Sequence, residues 1–168
     1  DIYKSYTHVD TALRGAAAME LIFDSGDSGG ESIKDPDVRK RMRGRQDQLE
    51  AKFADIGMKT YSVADVVMEI GQALNNGDSA AYRIPDTRAA VAESLILFES
   101  SGSDELTRLV TSDYGKARIN LRMKYLPDSQ YQPLFREIES EAARILAQTP
   151  QLRSIETTGV IPLWSRLT

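Results

Sequence analysis

From Tyr61 to Ser112 the chain reads as helix, helix and helix again, with no strand among them, while the sequence on either side reads as strand–helix–strand. Few folds accommodate that order. Two β-α-β halves have to close on one another with a helical block between them. Ser62-Val63-Ala64-Asp65 has capping-box spacing, with Asp as the acid at the third position, and starts the first helix. Val63, Val66, Val67, Ile70 and Leu74 then recur at helical spacing until Asn75-Asn76-Gly77 stops the run. Asp86 or Thr87 caps a second helix, which is apolar nearly all round from Ala89 to Phe98 and so calls for burial on several sides. Asp104 to Ser112 reads as a short third helix with Leu106, Leu109 and Val110 inward.

The flanking halves carry the strand signals. Ala17, Met19, Leu21 and Phe23 alternate with Ala18, Glu20, Ile22 and Asp24, the period of two of a strand with one buried face. The alternation is clearest from Lys116 to Tyr125. Ala117, Ile119, Leu121, Met123 and Tyr125 share one side; Lys116, Arg118, Asn120, Arg122 and Lys124 share the other. Asp35-Pro36 opens a helix running to Ile56 on a thin stripe of Val38, Met42, Leu49, Phe53 and Ile56, with Arg45 in its gap. Asp128 or Ser129 opens another, with Tyr131, Leu134, Phe135, Ile138, Ala142, Ile145 and Leu146 on one face. With strands at 58–61 and 152–160, the order outside the block is βαββαβ. The predicted fold is α+β: a split βαββαβ ferredoxin-like core, with a three-helix insert between its second and third strands. Residues 1–60 and 113–168 form the core and 61–112 the insert, together one structural domain.

Composition narrows the chemistry. With 21 basic and 25 acidic residues the net charge is −4, which argues against a nucleic-acid partner. The cluster Arg39, Lys40, Arg41, Arg43 and Arg45 reads as a solvated helix face balanced by Asp47 and Glu50, with a nucleic-acid or lipid-headgroup contact as the alternative. No cysteine is present, and His8 is the only histidine, so no metal site or other cofactor is expected. Residues 1–13 carry only a faint helical pattern. The loop Ser25-Gly26-Asp27-Ser28-Gly29-Gly30 lacks the Lys-Ser/Thr ending of a phosphate-binding loop. Asp113 with Tyr114, and Asp24 with Asp27, are the acid/base pairs an enzyme could draw on, but no Gly-x-Ser-x-Gly nucleophile motif accompanies them and no catalysis is expected.

A set of ordered motifs carries a resemblance. Lys59-Thr60-Tyr61-Ser62-Val63-Ala64-Asp65, Asn75-Asn76-Gly77-Asp78, Tyr82-Arg83-Ile84-Pro85-Asp86-Thr87-Arg88, Leu95-Ile96-Leu97-Phe98-Glu99-Ser100-Ser101-Gly102 and Asp113-Tyr114-Gly115-Lys116-Ala117-Arg118-Ile119 follow one another. Ile33-Lys34-Asp35-Pro36-Asp37-Val38 precedes them and Thr158-Gly159 follows. In order and spacing the chain resembles RND-superfamily exporters of the MmpL-related, hydrophobe/amphiphile type. Arg45 departs from the pattern, where such sequences usually carry an apolar residue.

The resemblance implies a porter domain: one of two large loops, the second being favoured, on the periplasmic side of the bacterial cytoplasmic membrane. The exporter itself would be membrane-embedded and proton-driven, with its proton-relay carboxylates in transmembrane helices outside this chain. It implies a hydrophobic or lipid-like substrate, the sister porter loop of the same protein as a partner, and room for homo-oligomers. The start at Asp1 without Met and the apolar end through Trp164 fit a chain cut from a longer one, with Trp164 at a membrane interface. Met68, Tyr82, Leu95 and Phe98, apolar residues of the insert, are the candidates for a substrate path. Lys116, Arg118, Arg122 and Lys124 are the candidates for a docking face on the sister loop or an accessory envelope protein.

Overall fold

The computed structural model describes residues 17–26, 31–102 and 104–159. His8, the pattern over residues 1–13, Asp27 to Gly30, Val160 and Trp164 lie outside the described residues. Four strands form one antiparallel sheet: β1 (Ala17–Asp24), β2 (Lys59–Ser62), β3 (Lys116–Met123) and β4 (Ser154–Thr158), in the order β2-β3-β1-β4. The described residues hold five α-helices: α1 (Glu31–Lys34), α2 (Pro36–Lys52), α3 (Val63–Leu74), α4 (Arg88–Ser100) and α5 (Asp128–Ala147). The chain is therefore α+β.

Alternation in β1 and β3 sets the layers. Leu21 lies opposite Ile119 and Phe23 opposite Ala117, all on one face and all at most 1% exposed. Val38, Met42 and Leu49 of α2 and Leu134, Phe135, Ile138 and Ile145 of α5 cover that face, in one hydrophobic cluster. Val63, Val66, Val67, Val91 and Leu95 of the insert belong to the same cluster, so the insert widens the core instead of building a second one. The other sheet face, with Lys116, Arg118, Asn120 and Arg122, stays exposed or half-buried.

Most predicted boundaries agree within a few residues. Asp35 caps α2 through the N–H of Asp37, and Pro36 takes the first position. The capping box at Ser62 and Asp65 is formed in full. Thr87 caps α4, accepting from the Ala90 N–H at 3.3 Å.

Three readings need correction. α2 ends at Lys52, not Ile56; Ala54–Ile56 tighten into a 3-10 turn and Gly57 leaves it with a φ of 64°. The third helix of the insert shrinks to a 3-10 turn at Leu106–Arg108. Val110 bridges to Ala117, and the Arg118 N–H donates to the Leu109 carbonyl at 2.8 Å, so this segment extends the sheet instead. β3 stops at Met123; Tyr125 is 45% exposed and stacks edge-on to Tyr131 outside the core stripe. α5 opens at Asp128, as the sequence reads, and follows Pro127 without a side-chain cap. A short helix, α1, not anticipated from the sequence, precedes α2 and buries Ile33 completely.

Phe23 is 0% exposed at the centre of the sheet. Phe23→Ala is expected to destabilise the chain by about 3–5 kcal/mol, read from urea denaturation.

Candidate functional site

The insert leaves the sheet through a buried polar knot. Gln46 of α2 is 0% exposed and faces the end of β2. Its Nε2 donates to Asp65 Oδ2 at 2.6 Å and to Thr60 Oγ1 at 3.2 Å, while its Oε1 accepts from Ser62 Oγ at 2.8 Å. Asp65 also accepts from the Ser62 N–H at 2.8 Å and, through Oδ1, from Arg43 at 2.6 Å. Glu50 closes the lower end, accepting from the Thr60 N–H and hydroxyl at 2.8 Å each. Core helix, edge strand and first insert helix thus share one set of satisfied polar groups, which in a dry environment fixes their relative placement.

Ion pairs continue the seam outward. Asp35 at the start of α2 pairs with Arg88 at the start of α4, and Lys40 with Asp86 before it, both at 2.8 Å. Arg83 joins Asp86 at 3.1 Å. The Arg88 hydrogen bond holds the Asp35 carboxyl below its ordinary 3.8, against a smaller opposing effect of burial.

The basic cluster is therefore not a uniform solvated face. Lys40 and Arg43 point into the seam. Arg41 reaches the Gln148 carbonyl, and Arg45 the Gln48 and Gln148 side chains. Arg39 is 0% exposed, and none of its guanidinium nitrogens has a hydrogen-bond partner. Glu50 serves Thr60 and Lys59 and does not balance the helix face. Arg45 also does not occupy the gap in the stripe. Gln46 does, so the buried line runs Arg39, Met42, Gln46, Leu49 and Phe53.

At the far end of the seam, Tyr114 is 9% exposed on the turn before β3, with a φ of 56°. Its hydroxyl donates to Glu99 of α4 at 2.7 Å, and Lys34 Nζ lies 4.6 Å from its ring centroid. Burial first, and then the bond to Glu99, push its phenol up.

The four insert residues singled out for a substrate path do not share one environment. Met68 and Leu95 are 3% and 2% exposed inside the core, Phe98 packs against its edge, and Tyr82 is 40% exposed. Around α4 the expectation of burial on several sides is not met. Only Val91, Ser94 and Leu95 are buried, while Ile96 is 62% and Leu97 39% exposed. On the open sheet face Lys116 pairs with Asp24 at 3.2 Å and Arg118 with Glu20 at 3.1 Å. Arg122 and Lys124 are exposed without an ion pair among the described residues. Asp24 and Asp113 close turns, accepting from the N–H groups of Gly26 at 2.8 Å and Gly115 at 2.9 Å. Among the described residues no group of three or more metal-ligating side chains occurs, and no helix is long and apolar enough to cross a membrane.

Set against known protein families, curated proteins and solved structures, the chain matches none.

Two expectations follow for the seam. Asp65→Ala removes the acceptor shared by Arg43, Gln46 and the Ser62 N–H, and is expected to cost about 3–5 kcal/mol in urea denaturation. Because the folded Asp35 carboxyl is depressed, its contribution is present above the unfolded value near 3.8 and is lost as pH falls through the lower folded value. Arg88→Gln is therefore expected to lose up to about 1 kcal/mol at pH 7, and to converge with the unmodified chain in acid denaturation once the folded Asp35 carboxyl is protonated.

Proposed function

We propose that this chain is a periplasmic porter-type domain of a proton-driven, RND-family exporter of lipids or other hydrophobic or amphiphilic molecules, in the bacterial cytoplasmic membrane. In this reading it has no chemistry of its own and forms part of the substrate path. The fold takes the split βαββαβ ferredoxin-like form, an assignment supported by the order β2-β3-β1-β4 with every neighbouring pair antiparallel.

The observation that carries the reading is the outer face of α4. A helix with Ile96 at 62% and Leu97 at 39% exposure presents apolar surface beside Phe98, at the margin of the core. Such surface favours contact with an apolar molecule or an apolar partner. Tyr82 and Leu74, 40% and 59% exposed, add apolar surface elsewhere on the insert. Met68 and Leu95 lie within the core and not on that surface.

A second reading is favoured by the open sheet face. Lys116 and Arg118 are neutralised within the sheet, whereas Arg122 and Lys124 are not, so a docking contact with the sister loop or an accessory envelope protein would centre on those two.

The flanking coding sequence tests the porter assignment directly. Apolar runs of about 20 residues on both sides are expected; polar sequence continuing to the start and stop codons overturns it. Binding tests the path. N-phenylnaphthylamine fluorescence should rise saturably on adding the chain, and the double variant Ile96→Gln/Leu97→Gln should bind about tenfold more weakly. Absence of saturable binding overturns the α4 assignment and leaves the docking face, read by Arg122→Glu/Lys124→Glu in a pull-down with the sister loop.

A further inference from the structure

Arg39 is the group that the described contacts leave unexplained. It lies within α2, is 0% exposed, and its Nε, Nη1 and Nη2 atoms all lack a hydrogen-bond partner. A guanidinium carries five donors in a fixed fork and does not give up its proton under ordinary conditions. Burial pulls it down to about 10, which still leaves it charged at neutral pH. An unpaired buried charge is among the costliest features a core can hold, and replacing it by an apolar side chain of similar size would remove that cost. The acid within helical reach does not answer it: Asp35, one turn earlier, holds Arg88.

Among the described residues no anion answers the guanidinium. Tyr114 is electrostatically coupled to Arg39, and its hydroxyl is turned away to Glu99 at 2.7 Å. Lys34 brings a second cation within 4.6 Å of the Tyr114 ring. Tyr114 itself holds a φ of 56°, a backbone region that bulky residues rarely adopt. The ring is buried at the margin of the core cluster, with its hydroxyl on an exposed glutamate and its backbone in a strained turn. Tyr114 therefore touches Lys34 and Glu99 and feels the Arg39 charge, where α1, α2 and α4 approach the turn before β3.

We propose that Arg39 is the receptor for one oxyanion, a carboxylate or phosphate group, which enters past Lys34 as the Tyr114 ring leaves Glu99 and pairs with the guanidinium fork. The group would come from the headgroup of an acidic amphiphile or from free phosphate. The proposal stands on Arg39 and its neighbours and does not draw on the porter reading.

Thermal unfolding of the purified full chain tests it at fixed ionic strength, with sodium phosphate, decanoate, decanol and chloride as separate arms. At about a hundredfold excess over Kd, phosphate or decanoate is expected to raise Tm by about 5–10 °C, with no rise in decanol or chloride. Arg39→Met should lose that rise while its ligand-free Tm equals or exceeds that of the unmodified chain. A rise with decanoate alone identifies an amphiphile headgroup; a rise with phosphate alone or with both identifies a free oxyanion site. The proposal is overturned if neither oxyanion shifts the unmodified chain, if chloride shifts it equally, or if the shift survives Arg39→Met. Should that variant not fold, Arg39→Lys and Lys34→Gln are read by calorimetric titration. Each should weaken oxyanion binding about tenfold, and unchanged affinity in both overturns the proposal. Phosphate binding that depends on Arg39, with no N-phenylnaphthylamine binding at α4, would retain this inference while the porter reading fails.

Discussion

Everything in this fold turns on the hydrogen bonds among Gln46, Ser62 and Asp65. They sit where an edge strand becomes a helix within a single residue, a junction that would otherwise strand several backbone donors. Ser62 ends β2 and caps α3 at once. Asp65 completes the box, and Gln46 binds both from the core helix. Because all three are at most 3% exposed, water cannot replace a lost partner. The direction of α3, and with it the place of the whole insert, follows from that junction. Asp35–Arg88 and Lys40–Asp86 then hold the second insert helix against the same core helix, by exposed pairs that salt would screen.

A layered division of labour results. The sheet's inner face and α2, α5 supply a core that needs no help from function to explain it. The insert shares that core through Val63, Val66, Val67 and Leu95, yet keeps Ile96 and Leu97 outside. The features without a structural explanation, the apolar face of α4 and the unpaired Arg39, lie on the insert or where the insert meets α2. A functional account therefore belongs to the insert and its seam more than to the sheet.

Much of the architecture was legible because β1 and β3 alternate cleanly and the caps at Asp35, Ser62 and Thr87 are chemically explicit. The failures have physical reasons. Leu106, Leu109 and Val110 have helical spacing, but Val110 and Leu109 gain more from pairing beside β3, a long-range contact that no local pattern records. Ile56 lay on the stripe, yet Gly57 in a left-handed conformation tightened the last turn. The knot was half visible. The Ser62–Asp65 box could be read from spacing, whereas Gln46 was passed over because a polar residue on a buried line looks like a gap. Arg39 was hidden by its neighbours: in a run of five cations nothing local tells the buried one from the rest. It does share the spacing of Met42, Gln46, Leu49 and Phe53, which was the available signal.

The place of the insert in the sequence also bears on how the chain folds. Ser62 pairs with Ile119 across the sheet, although all of 63–115 lies between them. Without the insert, β2 and β3 would be joined by a short turn and could zip together early. With it, the pairing must wait for a long loop to close, and loop closure is what slows sheet formation. Helix α3 shortens that wait, since its capping box and valine stripe are local and can form first. The same residues that anchor the insert in the finished fold would then bring the two halves of the sheet within reach of each other.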